Sequence, residues 1–413
     1  MTYVSEQILI ELENKIKAKE FKLNSLLEVT NSINSNKSVS EILTIYNFIL
    51  KEQLGLRKFI LFNKQDHWNI LLKVGVKGVI KELNIEEDIL KFKEITVIES
   101  SYKSYLNDFD VIVPVFHKDK PLAYLILSGL QDMKAAEGSP LANLNFIQTL
   151  TNLIVVAIEN KRMAKESLKQ EGIKKELEVA SEMQKLLFPS NLPNNSKLDI
   201  SAKYLPHHKV SGDYYDYIQI NEDEFIICIA DVSGKGISAA MLMATFQATL
   251  RTVFNYQRFD LEFLIHELNK KVFKNANGEK FITFFISQYN AKTRQLKYIN
   301  AGHNWPILIN KKHQRFLNKG CIGLGMLDEI PFLESETIDI EPNTTLLLFT
   351  DGVVELENEN EEQFETDRLT KVVKSFYPLS MEDLNEIIFK KLDEWRGQKN
   401  YVDDTAILSC RIF

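Results

Sequence analysis

Apolar and polar positions follow two different periods along this chain, and the switches between them outline its elements. Residues 5–30 are rich in Glu, Lys, Leu and Ile and hold neither Gly nor Pro, a helical composition. Leu23, Leu26, Leu27, Val29 and Ile33 lead into a second helical segment, Val39 to Leu54. Strand-like runs follow at Lys58–Phe62, Trp68–Val74, Val111–Val115 and Leu122–Leu127, with Asn63 and Lys64 read as a turn after the first. A helix then opens near Leu141. Up to Leu187 it meets one Gly and no Pro, so it is much longer than the ~11–12 residues of an average helix. Its apolar positions (Ile154, Ile158, Met163, Leu168, Ile173, Leu177, Met183, Leu187) form a loose stripe, not a strict heptad, which suits either a helix lying on its own domain or a coiled coil joining two domains and pairing with a second subunit.

Pro189, Ser190, Pro193, Asn194, Asn195 and Ser196 break that helix. Beyond them the pattern predicts strands at Leu198–Tyr204, Phe225–Ala230, Phe281–Tyr289, Leu296–Asn300, Ile307–Ile309, Thr345–Phe349 and Ala406–Ile412. Helices are expected at Ile237–Tyr256, Leu261–Phe273, Asp367–Phe376 and Met381–Trp395. The expected fold class is α+β, with helices flanking a sheet sandwich in the second half. The expected division is an N-terminal helix (1–24), a first domain (25–160), a linker helix (161–192) and a second domain (193–413).

Composition narrows the function classes. The 413 residues are 45% hydrophobic and 26% charged, enough to bury a sizeable core, and carry a formal charge of -7. No Lys/Arg cluster is interleaved with aromatics, so no nucleic acid ligand is expected. Cys228, Cys321 and Cys410 are isolated and read as free thiols of a reducing compartment. Residues 1–7 show no signal-peptide pattern, and no apolar run approaches the ~20 residues that span a bilayer. The expectation is a cytoplasmic protein with no membrane partner.

The candidate chemistry lies in aspartates at strand ends. The apolar run Phe225–Ala230 ends in Asp231, Thr345–Thr350 ends in Asp351, Asp403 and Asp404 precede Ala406–Leu408, and Gly212 with Asp213 precedes a Tyr-rich strand. A carboxylate at the edge of a core needs a cation, a cap or a metal, and no Arg neighbours these sites in sequence. Each Asp could separately be a turn or cap residue. Four such sites in order fit an oxygen-ligated divalent centre better.

In EVASEMQKLLFP (Glu178–Pro189), GDYYDY (Gly212–Tyr217), DVSGKGISAA (Asp231–Ala240), NAGH (Asn300–His303), GLG (Gly323–Gly325), FTDGVVE (Phe349–Glu355) and DDTAIL (Asp403–Leu408), the chain resembles the SpoIIE type of metal-dependent phosphatase, a branch of the PPM (protein phosphatase 2C-like) fold. The resemblance covers about Leu177–Phe413. It implies that Asp213, Asp231, Asp351, Asp403 and Asp404, with the carbonyl of Val232, hold two Mn²⁺ or Mg²⁺ ions, which would activate water for in-line attack on phosphorus. Gly234 and Gly236 would let the backbone pass close to the ions. Lys235 is a candidate phosphate contact, and His303 is expected to be a structural turn residue rather than a general acid. The N-terminal half resembles a GAF sensor domain, mainly in Ser25–Phe62.

The implied function is a phosphoserine/phosphothreonine protein phosphatase of a partner-switching pathway, regulated through a sensor domain. Its implied substrate is a phosphoprotein such as an anti-sigma factor antagonist, and its implied assembly is a homodimer through the linker helix and sensor domain. The alternative is a catalytically inactive scaffold of the same fold.

Overall fold

A computed structural model of the chain describes residues 2–76, 84–98, 106, 109–128, 140–256 and 260–413. Two compact units emerge, Met1–Glu171 and Gly172–Phe413.

In the first unit, α1 (Thr2–Asn34) and α2 (Val39–Phe48) precede β1 (Lys58–Lys64), β2 (Trp68–Val74), β3 (Thr96–Val97), β4 (Val111–His117) and β5 (Lys120–Ser128). The strands form an antiparallel sheet in the order β2-β1-β5-β4-β3. Alternation along β1 explains the layers. Phe59 and Leu61 face a core built with Tyr46, Ile49, Leu150 and Ile154 of the helices, whereas Ile60 and Phe62 join Ile89, Phe109 and Tyr124 on the other face. The Ser38 hydroxyl and the Glu41 carboxylate close a capping box at the start of α2, which fixes where that helix begins. Two sequence expectations change here. The segment after α2 continues as a π-helical turn, Ile49–Gln53, and Asn63 and Lys64 belong to β1 instead of a turn. Asn63 is fully buried because its amide donates to Glu159 Oε1 at 2.9 Å, a bond to a distant residue that local pattern does not reveal.

α3 runs from Pro140 to Lys185, as long as the uninterrupted pattern predicted. In the second unit β6 (Leu198–Leu205), β11 (Ile307–Ile309), β12 (Gln314–Phe316), β15 (Thr344–Phe349) and β16 (Thr405–Ile412) form one sheet. The facing sheet contains β7 (Tyr214–Gln219), β8 (Glu224–Val232), β9 (Ile282–Asn290), β10 (Gln295–Ala301), β13 (Gly320–Cys321) and β14 (Glu336–Asp339). Both faces of β8 are covered, which is why its sequence is continuously apolar. Phe225, Ile227 and Ile229 enter the layer between the sheets with Phe285, Leu348 and Leu408. Ile226, Cys228, Ala230 and Val232 meet α4 (Ile237–Tyr256) and α5 (Leu261–Ala276). On the other side α6 (Asp351–Val354), α7 (Glu365–Ser375) and α8 (Met381–Arg396) cover Leu347, Phe349 and Ile407.

The short strands β12, β13 and β14 escaped the sequence reading, since two to four residues hold too little period. One further expectation is corrected: Ile237–Phe254 is apolar enough by length and composition to span a bilayer, with mean hydropathy 1.2. Ile, Leu, Val, Phe, Ala and Met produce that value, with Arg251 as its one charge. Here Leu242, Met243, Phe246 and Leu250 pack into the unit's own core, and Thr245, Thr249 and Thr252 bond carbonyls one turn back.

Candidate metal centre

The sheet register brings the five aspartates to one end of the sandwich. Tyr214 pairs with Ala230, which sets Asp213 at the start of β7 beside Asp231 near the end of β8. Phe349 pairs with Ile407, which sets Asp351, the first residue of α6, near Asp403 and Asp404 before β16. Thr350 ties this second pair together: its amide donates to the Ala406 carbonyl at 3.1 Å, and its hydroxyl accepts from the Ala406 amide at 3.0 Å. Gly352 permits the approach, because a Cβ there would lie 2.0 Å from the Asp404 carbonyl oxygen.

The acids act on one another. Asp213 is 1% exposed, and its carboxyl is held well above the usual range, first by burial and then by the charges of Asp231, Asp404 and Asp351. Asp231 is pushed up to about 6, mainly by burial, with a hydrogen bond to Asp213 opposing and Asp403 and Asp404 adding to the rise. Burial, then Asp231, Asp403 and Glu355, raise Asp351 to about 7. Asp404 is anchored differently: Oδ1 accepts from the His207 amide at 2.7 Å and Oδ2 from the Gly212 amide at 3.4 Å. Among the described residues, no three acidic, His or Cys side chains close into a ready-made ligand set. The five carboxyls share one electrostatic neighbourhood without forming a finished shell.

Two observations test whether divalent ions suit this group. Asp213 Oδ2 is buried with no hydrogen-bond partner, and an orphaned buried acceptor calls for a ligand. The surrounding donors are hard carboxylate and carbonyl oxygens, the set that Mg²⁺ and Mn²⁺ prefer. Gly212 contributes space, since a Cβ there would stand 3.0 Å from the Val232 carbonyl oxygen. The residues fit the ions.

Lys235 departs from the sequence reading, which saw no local counter-charge for the acids. Its ammonium pairs with Asp403 Oδ2 at 2.8 Å and donates to the Val402 carbonyl at 2.8 Å. Gly234 and Gly236 both adopt positive φ (84° and 78°), giving the Ser233–Gly236 loop a path that side-chain-bearing residues rarely take. Lys280, which the sequence did not flag, donates to the Ser233 carbonyl at 3.0 Å beneath that loop.

His303 is a structural residue. It is 3% exposed; its Nε2 donates to the Phe349 carbonyl at 3.1 Å, which leaves Nδ1 to accept from the Thr283 hydroxyl at 2.9 Å. Burial lowers its pKa to about 4, so the ring is neutral and both nitrogens are engaged.

Two supports went unread in the sequence. Gln184, near the end of α3, donates to the Ser211 carbonyl at 2.7 Å and accepts from the Ser211 amide at 3.1 Å, while Ser211 Oγ accepts from the Asp213 amide. Asp216, fully buried, is held by Arg251 of α4 through two bonds of 2.7 and 2.8 Å. The second Asp of GDYYDY, at an inward strand position, was the available signal for that pair.

The comparisons with known proteins bear on the C-terminal unit. The Stage II sporulation protein E (SpoIIE) family model matches residues 221–413. The phosphoserine phosphatase RsbU of Bacillus subtilis is 29% identical over 242 residues, spanning 58% of this chain and 71% of that protein. The phosphoserine phosphatase RsbP of the same organism is 28% identical over 188 residues, covering 44% of this chain and 46% of that protein. The SiaA-PP2C domain of Pseudomonas aeruginosa superposes with a TM-score of 0.53 at 19% identity, over 59% of this chain and 99% of that one, a likeness of fold. Residues 221–413 thus match the SpoIIE family model, within a unit whose fold is PP2C-like.

Proposed function

We propose that this protein is a metal-dependent phosphoserine/phosphothreonine protein phosphatase of a cytoplasmic partner-switching pathway, acting on a phosphorylated anti-sigma factor antagonist. The observation that carries the proposal is the group of buried and half-buried, mutually repelling carboxyls at one sandwich end, with Asp213 Oδ2 unpartnered. Burying like charges together costs stability unless something positive joins them. RsbU and RsbP, whose names state phosphoserine phosphatase, support the reaction class.

In this reading Asp213, Asp231, Asp351, Asp403 and Asp404, with the Val232 carbonyl, hold two Mg²⁺ or Mn²⁺ ions. Such ions supply Lewis acidity toward phosphoryl oxygens and lower the pKa of water. The chain's own residues set the geometry. The His207 and Gly212 amides orient Asp404, Lys235 holds Asp403, and Gln184 together with Ser211 fixes the backbone that carries Asp213. Lys235 and Lys280 are the cations beside the Ser233–Gly236 loop, which is the candidate contact for the substrate phosphate. No covalent enzyme intermediate is needed.

We read the N-terminal unit as a GAF-like sensor, supported by its antiparallel sheet with helices against one face. We read the protein as a pair of identical chains. α3 extends into the C-terminal unit and ends beside Ser211, which makes it the candidate route for regulation.

The test is hydrolysis of a phosphoserine peptide and of p-nitrophenyl phosphate by the full chain in Mn²⁺ or Mg²⁺. Wild type is expected to release phosphate at least 100-fold faster than Asp231→Asn. Equal background release from both would favour the inactive scaffold.

A further inference from the structure

α1 has two apolar faces, and its own unit covers one of them. Ala18, Ser25, Val29 and Ser32 are buried against the N-terminal core. Leu9, Leu12, Ile16, Leu23 and Leu27 are each 50–60% exposed. At roughly 100° per residue these five fall in a sector about 60° wide, on the side of the helix away from the buried four. Single exposed leucines need no explanation, but a continuous stripe does.

The stripe has coiled-coil spacing. Leu9, Ile16 and Leu23 occupy a positions, Leu12 and Lys19 occupy d positions, and Leu27 flanks the seam at e. The charges beside it are sorted by position: Glu13 and Glu20 stand at e, Lys15 and Lys22 at g. Lys15 already bonds Glu11 one turn back at 2.6 Å, and Lys22 lies 5.9 Å from the Phe146 ring centroid, so neither is idle within its own chain. Between two parallel helices, g of one faces e of the next heptad of the other, which sets Lys15 against Glu20 of the partner subunit. Antiparallel pairing would set Glu against Glu and Lys against Lys. Lys19 in the seam weakens the pair while disfavouring shifted registers.

We propose that two copies of this chain join through α1, parallel and in register, along Leu9, Leu12, Ile16 and Leu23. The inference deepens the two-chain reading given above and rests on it. It adds α1 as a surface to the linker helix and sensor domain that the sequence implied, and it sets the orientation.

The experiment uses the full chain. Light scattering gives the oligomeric state, and mild oxidation of Leu9→Cys reports which residues meet. Wild type is the control for Cys228, Cys321 and Cys410. A particle of twice the chain mass, with Leu9→Cys chains linked to each other, supports the proposal. Ile16→Glu should then weaken the pairing at least tenfold while leaving the circular-dichroism melt of the exposed-site variant unchanged. A dimer in which Leu9→Cys links only to Leu23→Cys in a mixture overturns the parallel arrangement. A dimer with neither link overturns pairing through α1 and leaves the two-chain reading standing. A monomer at 100 µM overturns both.

Discussion

Asp351 shows how much of this account rests on single side chains. Its carboxyl is raised to about 7 by burial and by the neighbouring acids, against 3.8 for the free group. For an acid with a raised folded pKa, the linked stability is present below the unfolded value and is lost as pH rises through the folded one. In metal-free protein Asp351→Asn should therefore stabilise the fold more at pH 8 than at pH 5, by on the order of 2 kcal/mol. Urea melts in chelator at the two pH values measure the difference; an equal effect at both would mean that the Asp351 carboxyl is not raised in the fold. Gly352 next to it is under a steric constraint. With the Asp404 carbonyl oxygen 2.0 Å from any added Cβ, Gly352→Ala must move β15 or β16, and a loss of about 3 kcal/mol is expected in the same assay.

At the scale of elements, Gln184 gives α3 a grip on the backbone before Asp213. Its amide makes both bonds that a neighbouring strand would offer Ser211. Gln184→Ala removes them at an element end, not in a core. It is expected to lower kcat about tenfold on p-nitrophenyl phosphate while shifting the thermal midpoint by a few degrees at most. An unchanged kcat would show that α3 does not position the site. The long helix, the apolar strands and α4 were legible because their periods extend over many residues. The cluster of acids was legible because each Asp closes or opens an apolar run. Gln184, Lys280 and the Asp216–Arg251 pair were not, since each acts on a partner 27 or more residues away and carries no local pattern. Lys235 was noticed as a cation, but its bond to Asp403 depends on a loop conformation that only the fold sets.

For the whole molecule, the sandwich works as a device for concentrating charge. Two sheets with both faces covered align the ends of β7, β8, β15 and β16, and the register at each pair fixes which residue stands at the rim. The stability of the cores is what allows five acids to be held together against their repulsion, and divalent ions are what would make that arrangement favourable. Isothermal titration of Mn²⁺ into the full chain at pH 7.5 tests this most directly. The account predicts two ions bound per wild-type chain, with binding weakened at least tenfold in Asp231→Asn. No heat of binding in wild type, or identical isotherms for the two proteins, would contradict it.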